Sequence, residues 1–303
     1  MAGKGDSVRT IYFALGANFA IFVAKGFAAF ITGSGAMLAE AVHSLADCGN
    51  QGLLLLGIKR ARRPPTPDYP LGYGKEIYFW SFLVALMLFS VGGMFSLYEG
   101  WHKFHAPEAL NKPWIAVGVL SFAIIAESIS MRACVIEVNK ARGSQSLWEW
   151  FKHSRQAELV VIFGEDLAAL LGLVFALLAI LATIITGNPI YDAIGTLGIG
   201  VLLIVVAIFV AGAVKDMMIG QSVEPRQREA IGAFLESRPE VARVFSLITL
   251  QLGNDVLVSV KAQLADSAAS TADSIVQINA TEAALKQAFP DVRWCFFEPD
   301  DSA

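Results

Sequence analysis

From residue 10 to residue 214 the chain alternates long apolar runs with short polar links, a pattern no small soluble core can absorb. A bilayer core of about 30 Å needs roughly 20 helical residues to cross it. Six segments reach that length: 10–32, 36–58, 78–101, 114–137, 158–186 and 190–214. They pair into three hairpins. The tightest links are Gly33–Gly35 and Gly187–Pro189, where Gly and Pro stop one helix and turn the chain into the next. No small-residue cleavage signature follows the polar start, Met1–Arg9, so the first run reads as a span and not as a signal peptide.

Charge is scarce, at 17% of residues against about 25% in a typical soluble domain. The deficit lies in residues 1–215, while 216–303 has ordinary soluble composition. The expected architecture is therefore an all-α, six-helix transmembrane domain over 1–215 and a small α+β domain over 216–303. Lys and Arg between spans set the orientation. Lys59, Arg60, Arg62, Arg63, Lys75, Lys140, Arg142, Lys152 and Arg155 fall on one side, and only Lys103 and Lys112 on the other. Both termini are thus expected on the cytoplasmic side. A net charge of −4 gives no reason to expect a nucleic-acid partner. The three cysteines, Cys48, Cys134 and Cys295, are too scattered for a disulfide framework or a zinc ribbon.

The C-terminal part reads as a helix over 224–237, strands over 241–250 and 256–264, a helix over 274–289 and a last strand over 293–297. Gly253-Asn254-Asp255 marks the hairpin between the first two strands. This αββαβ order predicts a ferredoxin-like layer, with helices on one face of a three-stranded sheet. At about 80 residues such a domain gains core by dimerising.

Ionisable groups inside a span cost on the order of 3 kcal/mol each on insertion scales, so they mark function by default. The second span carries Glu40, His43, Ser44, Asp47, Cys48, Asn50 and Gln51. At about 100° per residue, His43 and Asp47 lie roughly 40° apart on one face, and Asn50 falls between them one turn on. An imidazole and a carboxylate at i and i+4 are neighbours able to hold one metal ion. Nitrogen with oxygen suits Zn²⁺, and also Mn²⁺ or Fe²⁺. The fifth span adds Glu158, Glu165 and Asp166 in an otherwise apolar run. Glu158 and Glu165 share one face and Asp166 lies about 100° from Glu165. These angles allow Asp166 to meet His43 and Asp47 while the glutamates face elsewhere. Lys25 and Glu127 read as structural, with Glu127 or Glu40 as the carboxylate partner of Lys25.

The run Gly35-Ala36-Met37-Leu38-Ala39-Glu40-Ala41-Val42-His43-Ser44-Leu45-Ala46-Asp47, with Asn50-Gln51 after it, resembles the second-span signature of the cation diffusion facilitator family. Tyr69-Pro70-Leu71-Gly72-Tyr73-Gly74-Lys75 resembles the loop that follows, and Glu165-Asp166-Leu167-Ala168-Ala169 is similar to a stretch in the branch of the ninth human zinc transporter. The resemblance implies a homodimeric metal/proton antiporter of a bilayer, working by alternating access and carrying Zn²⁺ or a related ion as substrate, with no cofactor. It implies two metal ligands from the second span, His43 and Asp47, and two from the fifth, one matching Asp166. The other falls on Ile162, which cannot bind metal. A water, Glu165 or the Asn50 amide oxygen are the candidates for the missing ligand. The resemblance further implies a charged pair between Lys75 and Asp216 at the inner surface. The membrane is expected to be a bacterial inner membrane.

Rival readings are a manganese or iron exporter of the same family, a membrane-bound metal sensor and a passive channel. The sensor needs a metal site in 216–303, where no histidine occurs. An enzyme is not expected, since neither HExxH nor Gly-x-Ser-x-Gly is present.

Overall fold

The computed structural model describes residues 4–265 and 270–301, so Met1–Gly3 of the polar start lie outside the described residues. The helical part runs α1 (Lys4–Thr32), α2 (Gly35–Ala61), α3 (Glu76–Met87), a π-helical segment (Leu88–Met94), α4 (Phe95–His105), α5 (Pro113–Arg142), a short α6 (Leu147–His153), α7 (Ala157–Thr186) and α8 (Ile190–Ile219). Four continuous helices among the described residues are long and apolar enough to cross a membrane: Glu76–His105, Pro113–Arg142, Ala157–Thr186 and Ile190–Ile219. With 27 residues α2 has the length, but its polar stripe lowers its hydropathy. At 29 residues α1 also has the length, and Asn18–Thr32 within it is apolar.

Large apolar side chains such as Phe27, Phe30, Phe122, Ile129, Ile185 and Ile208 point outward, as they do when lipid is the solvent. Inside, Ala28, Ala36, Ala39, Ala123, Ala168 and Ala176 line the main core, where small residues let helix backbones approach. Asp192 on α8 is almost fully buried and caps α2. It accepts from Ser34 Oγ at 2.5 Å and from the Gly35 amide at 2.7 Å. The carboxylate thus meets orphan donors and the positive end of the helix dipole together.

After α8 come α9 (Pro225–Glu236), β1 (Val241–Leu252), β2 (Asp255–Leu264), α10 (Thr271–Ala288) and β3 (Val292–Pro299). The sheet order is β1-β2-β3, with β1/β2 antiparallel and β2/β3 parallel. Leu252 pairs with Asp255, so Gly253-Asn254 is a two-residue hairpin loop, and Gly253 supplies its positive φ of 67°. Val256, Val258, Val260 and Ala262 face Ile231 and Leu235 of α9 and Leu285 of α10. Both helices therefore cover one face of the sheet, and Ile248 and Phe296 stay exposed on the other. The hairpin tip docks on the membrane-side helices: the Gly253 amide donates to Tyr78 Oη at 2.8 Å.

Within the single chain Lys75 and Asp216 do not pair. Asp216 pairs with its chain neighbour Lys215 at 3.1 Å, and Lys75 points toward Gly220 instead. The helix extends past the sequence-read limit at Val214, which carries Asp216 onto an exposed turn where Lys215 is nearer.

Candidate metal site

The second-span stripe folds as the periodicity requires. His43 is fully buried on α2 with Nε2 3.7 Å from Asp47 Oδ2, too long for a hydrogen bond and short enough for both to face one ion. Asn50, one turn further, is also fully buried, and its Nδ2 donates to Glu165 Oε1 on α7 at 2.5 Å.

This cluster is rich in polar atoms without partners among the described residues. They are both ring nitrogens of His43, Oδ1 of Asp47, Oδ1 of Asn50 and Oε1 of Gln51. Buried polar atoms are nearly always satisfied, and concentrated exceptions call for an explanation such as an ion. All of these groups except the ring nitrogen that carries hydrogen present lone pairs, the donor set a divalent cation takes.

Asp166 is placed differently from the expected arrangement. Its Oδ2 faces Ser130 Oγ on α5 at 3.4 Å, while Glu165 is the residue turned to α2. The cause is the packing face of α7. Gly172 lies so close to α2 that a Cβ there would stand 2.5 Å from Glu40 Oε1. Glu165, seven residues earlier, shares that face, and Asp166 falls about 100° away, toward α5. Among the described residues no three His, Cys, Asp or Glu side chains come together closely enough to hold a metal. The structure presents two pairs, His43/Asp47 and Asn50/Glu165, with Asp166 beside them in electrostatic reach of Asp47 and Glu127.

A cavity of about 360 Å³ lies between α2, α5 and α7, bordered by the two acids of α7 and by Gln51, one turn beyond Asp47 on α2. Its lining includes Gln51, Ser130, Cys134, Glu165 and Asp166. Ile162, at the position where a ligand was expected, forms part of its apolar wall. The cavity reaches Glu137, Ile58 and Leu159 at the Lys/Arg-rich ends of the three helices.

Sequence reasoning missed two contributors. Gly92, in the π-helical segment, lies under the His43 ring, where a Cβ would stand 3.8 Å from Nδ1. The pair Gly92-Gly93 within an apolar run was the available signal. Ser130, one of three serines on α5, gave none that set it apart. The remaining histidines are peripheral: His105 and His153 are exposed and bond carbonyls of their own helices.

A family profile described as the cation efflux transmembrane domain matches residues 11–216. The chain is 33% identical over 255 residues, or 84% of its length and 45% of the other protein, to "Proton-coupled zinc antiporter SLC30A9, mitochondrial" of Xenopus laevis. It is 34% identical over 225 residues to the protein of the same name in Homo sapiens, covering 73% of this chain and 39% of that protein. It is 22% identical over 288 residues to the magnetosome protein MamB of Paramagnetospirillum magneticum, covering 93% of this chain and 90% of that protein. The chain spans less than half the length of the two zinc-antiporter relatives.

Proposed function

The chain belongs to the cation efflux family, and from that premise we propose that it is a divalent-cation exporter, zinc first, that exchanges metal for protons by alternating access. The observation that carries the reading is the buried set of unpartnered donor atoms on His43, Asp47, Asn50 and Gln51, linked to α7 by the Asn50–Glu165 hydrogen bond and by the cavity that Gln51 shares with Glu165 and Asp166. The family relatives named as proton-coupled zinc antiporters support zinc and proton coupling.

In this reading His43 and Asp47 are the fixed ligands from α2. Glu165, held by Asn50, supplies a carboxylate from α7, and Asp166 swings in from its place beside Ser130. Water or the Asn50 amide oxygen completes the shell where Ile162 has no donor. The metal can bind only when these groups are deprotonated, so protons arriving from the other side compete for them and release the ion. The imidazole of His43 is the natural proton carrier, because its ordinary pKa lies near neutral. A manganese or iron exporter is the second reading, favoured by the oxygen-rich donor set.

The proposed topology is six spans, with α1 and α2 crossing alongside the four more apolar helices. The proposed division is a transport unit over 1–215 and a cytoplasmic unit over 216–303, both termini facing the cytoplasm or its equivalent. The exposed Ile248 and Phe296 on the open sheet face support a homodimer through this unit. A bacterial inner membrane is the proposed location. An organelle membrane competes with it, since two of the relatives are named as mitochondrial.

The test is metal-driven proton movement in proteoliposomes with Zn²⁺, Mn²⁺ and Fe²⁺, for the wild type and Asp47→Ala. Flux with one ion, lost in the variant, supports the exporter and names its substrate. Absence of flux with all three ions in folded, correctly oriented protein overturns it.

A further inference from the structure

Next to the proposed ion site lies a charge pair that coordination does not use. Lys25 on α1 is completely buried, and its Nζ donates to Glu40 Oε2 at 3.1 Å and to Ser44 Oγ at 2.8 Å. Glu40 is also completely buried, one helical turn before His43. Its other oxygen, Oε1, has no hydrogen-bond partner among the described residues and rests against Gly172 of α7, with Ile199 of α8 beside it. The carboxylate therefore sits where α1, α2, α7 and α8 meet.

A plain helix-to-helix tie does not require this arrangement. A buried ion pair loses much of its attraction to desolvation, and an apolar pair of equal volume often holds a core as well or better. Stability alone gives little reason to place an ammonium and a carboxylate here. Position gives a reason. Without Lys25, Glu40 is a free carboxylate on the face next to His43 and Asp47, with a lone pair already unsatisfied. A carboxylate so placed either joins the coordination shell or adds a unit of negative charge beside it. Either change holds a dication more tightly and slows its departure.

We propose that Lys25 is a positioning residue for the ion site: its ammonium holds Glu40 against Gly172, out of the coordination shell, and cancels its charge. The cation is then spared the added charge of Glu40 beside its ligand carboxylates, a weaker hold that permits release. Gly172 is part of the device, since any side chain there would occupy the space of Glu40 Oε1. The inference rests on the exporter reading, whose ligands it tunes.

The experiment measures zinc Kd by calorimetry on full-length protein in detergent, and KM and maximal flux in proteoliposomes. The variants are Lys25→Met, Lys25→Arg, Glu40→Gln, the double Lys25→Met/Glu40→Gln, and His43→Ala as a site control. Lys25→Met is expected to tighten Kd by at least about tenfold and lower maximal flux, since a unit charge within one or two helical turns of a dication is worth at least that factor at an effective dielectric of about 20. Glu40→Gln, which leaves the ammonium unbalanced, is expected to weaken Kd by a similar factor. The double variant is expected to fall between the singles, and Lys25→Arg to restore the wild-type Kd. A pair that only tied helices together would lower folded yield in both singles and leave Kd unmoved in the protein that folds. Singles that move Kd in the same direction, or not at all, overturn the proposal. If wild-type zinc binding is lost in His43→Ala while the Lys25 and Glu40 series stays flat, the exporter reading stands and this inference alone fails. If the wild type binds no divalent ion, both fail.

Discussion

Asn50 Nδ2 meets Glu165 Oε1 at 2.5 Å, and this bond is the direct polar link between the stripe on α2 and the acids on α7. Removing the amide leaves a buried carboxylate oxygen without its donor, which costs about 1–3 kcal/mol. Asn50→Leu is therefore expected to lower the melting temperature in detergent, and zinc is expected to recover less of the loss than it does for wild type. Thermal melts with and without zinc check this. Equal melting of the two proteins would mean that Glu165 has another partner.

Ile162 offers a gain-of-ligand prediction. It lines the same cavity as Glu165 and Asp166, one turn before Asp166. Ile162→His places a nitrogen donor there and is expected to shift selection toward zinc over manganese, since imidazole suits zinc and oxygen donors suit manganese. Competition flux with both ions present reads the ratio. An unchanged ratio would place the coordination shell away from α7's cavity face.

Asp192 makes the start of α2 depend on α8. Asp192→Ala strips acceptors from Ser34 Oγ and the Gly35 amide and is expected to destabilise the fold by about 1–3 kcal/mol. Because α2 carries His43 and Asp47, the same variant is expected to reduce flux without abolishing zinc binding. Hydrogen exchange over residues 34–40 localises the effect, and protection equal to wild type would count against it.

The joint between the sheet and the helices depends on two glycines. A Cβ on Gly74 would collide with the Leu252 carbonyl oxygen, a backbone clash that no adjustment of side chains relieves. Gly74→Ala is expected to push the hairpin tip off α3 and break the bond from the Gly253 amide to Tyr78. Faster hydrogen exchange at residues 250–256, with the helices unaffected, is the expected result. Tyr78→Phe, which loses the bond but not the packing, is expected to show a smaller change in the same direction.

Cys295 provides a pH test outside the membrane helices. Burial pushes its thiol up to about 11, with a smaller contribution from Glu282. The thiolate is the reactive form, so at pH 8 only about one in a thousand molecules is reactive. With Cys48 and Cys134 replaced by alanine, alkylation is expected to be slow at pH 8 and to rise about tenfold per pH unit toward pH 10. Fast labelling at pH 8 would mean that β3 opens readily from α10.

What was readable in advance follows from periodicity. The helical repeat alone places His43, Asp47 and Asn50 on one face of α2, because residues on one helix have fixed angular relations. The alternation of β1 and β2 and the glycine between them likewise give the sheet, its turn and its covered face. The partner of Lys25 was narrowed to Glu40 or Glu127, and packing selected Glu40. Within the single chain Asp216 pairs with Lys215 and not with Lys75, a choice that depends on where α8 ends relative to a distant loop.

The sequence by itself determined that this chain spans a membrane, that a polar stripe runs down its second helix and that a small αββαβ unit follows. These properties are local, set by hydropathy and by the repeat of single elements. Only the tertiary structure decided that Glu165, and not Asp166, is turned toward Asn50, that Gly92 underlies His43 and that Lys25 takes Glu40. Each of these depends on the rotation of one helix about its axis relative to a neighbour. That rotation is fixed by where glycine and alanine permit close approach, a property of two surfaces together that neither sequence segment carries alone.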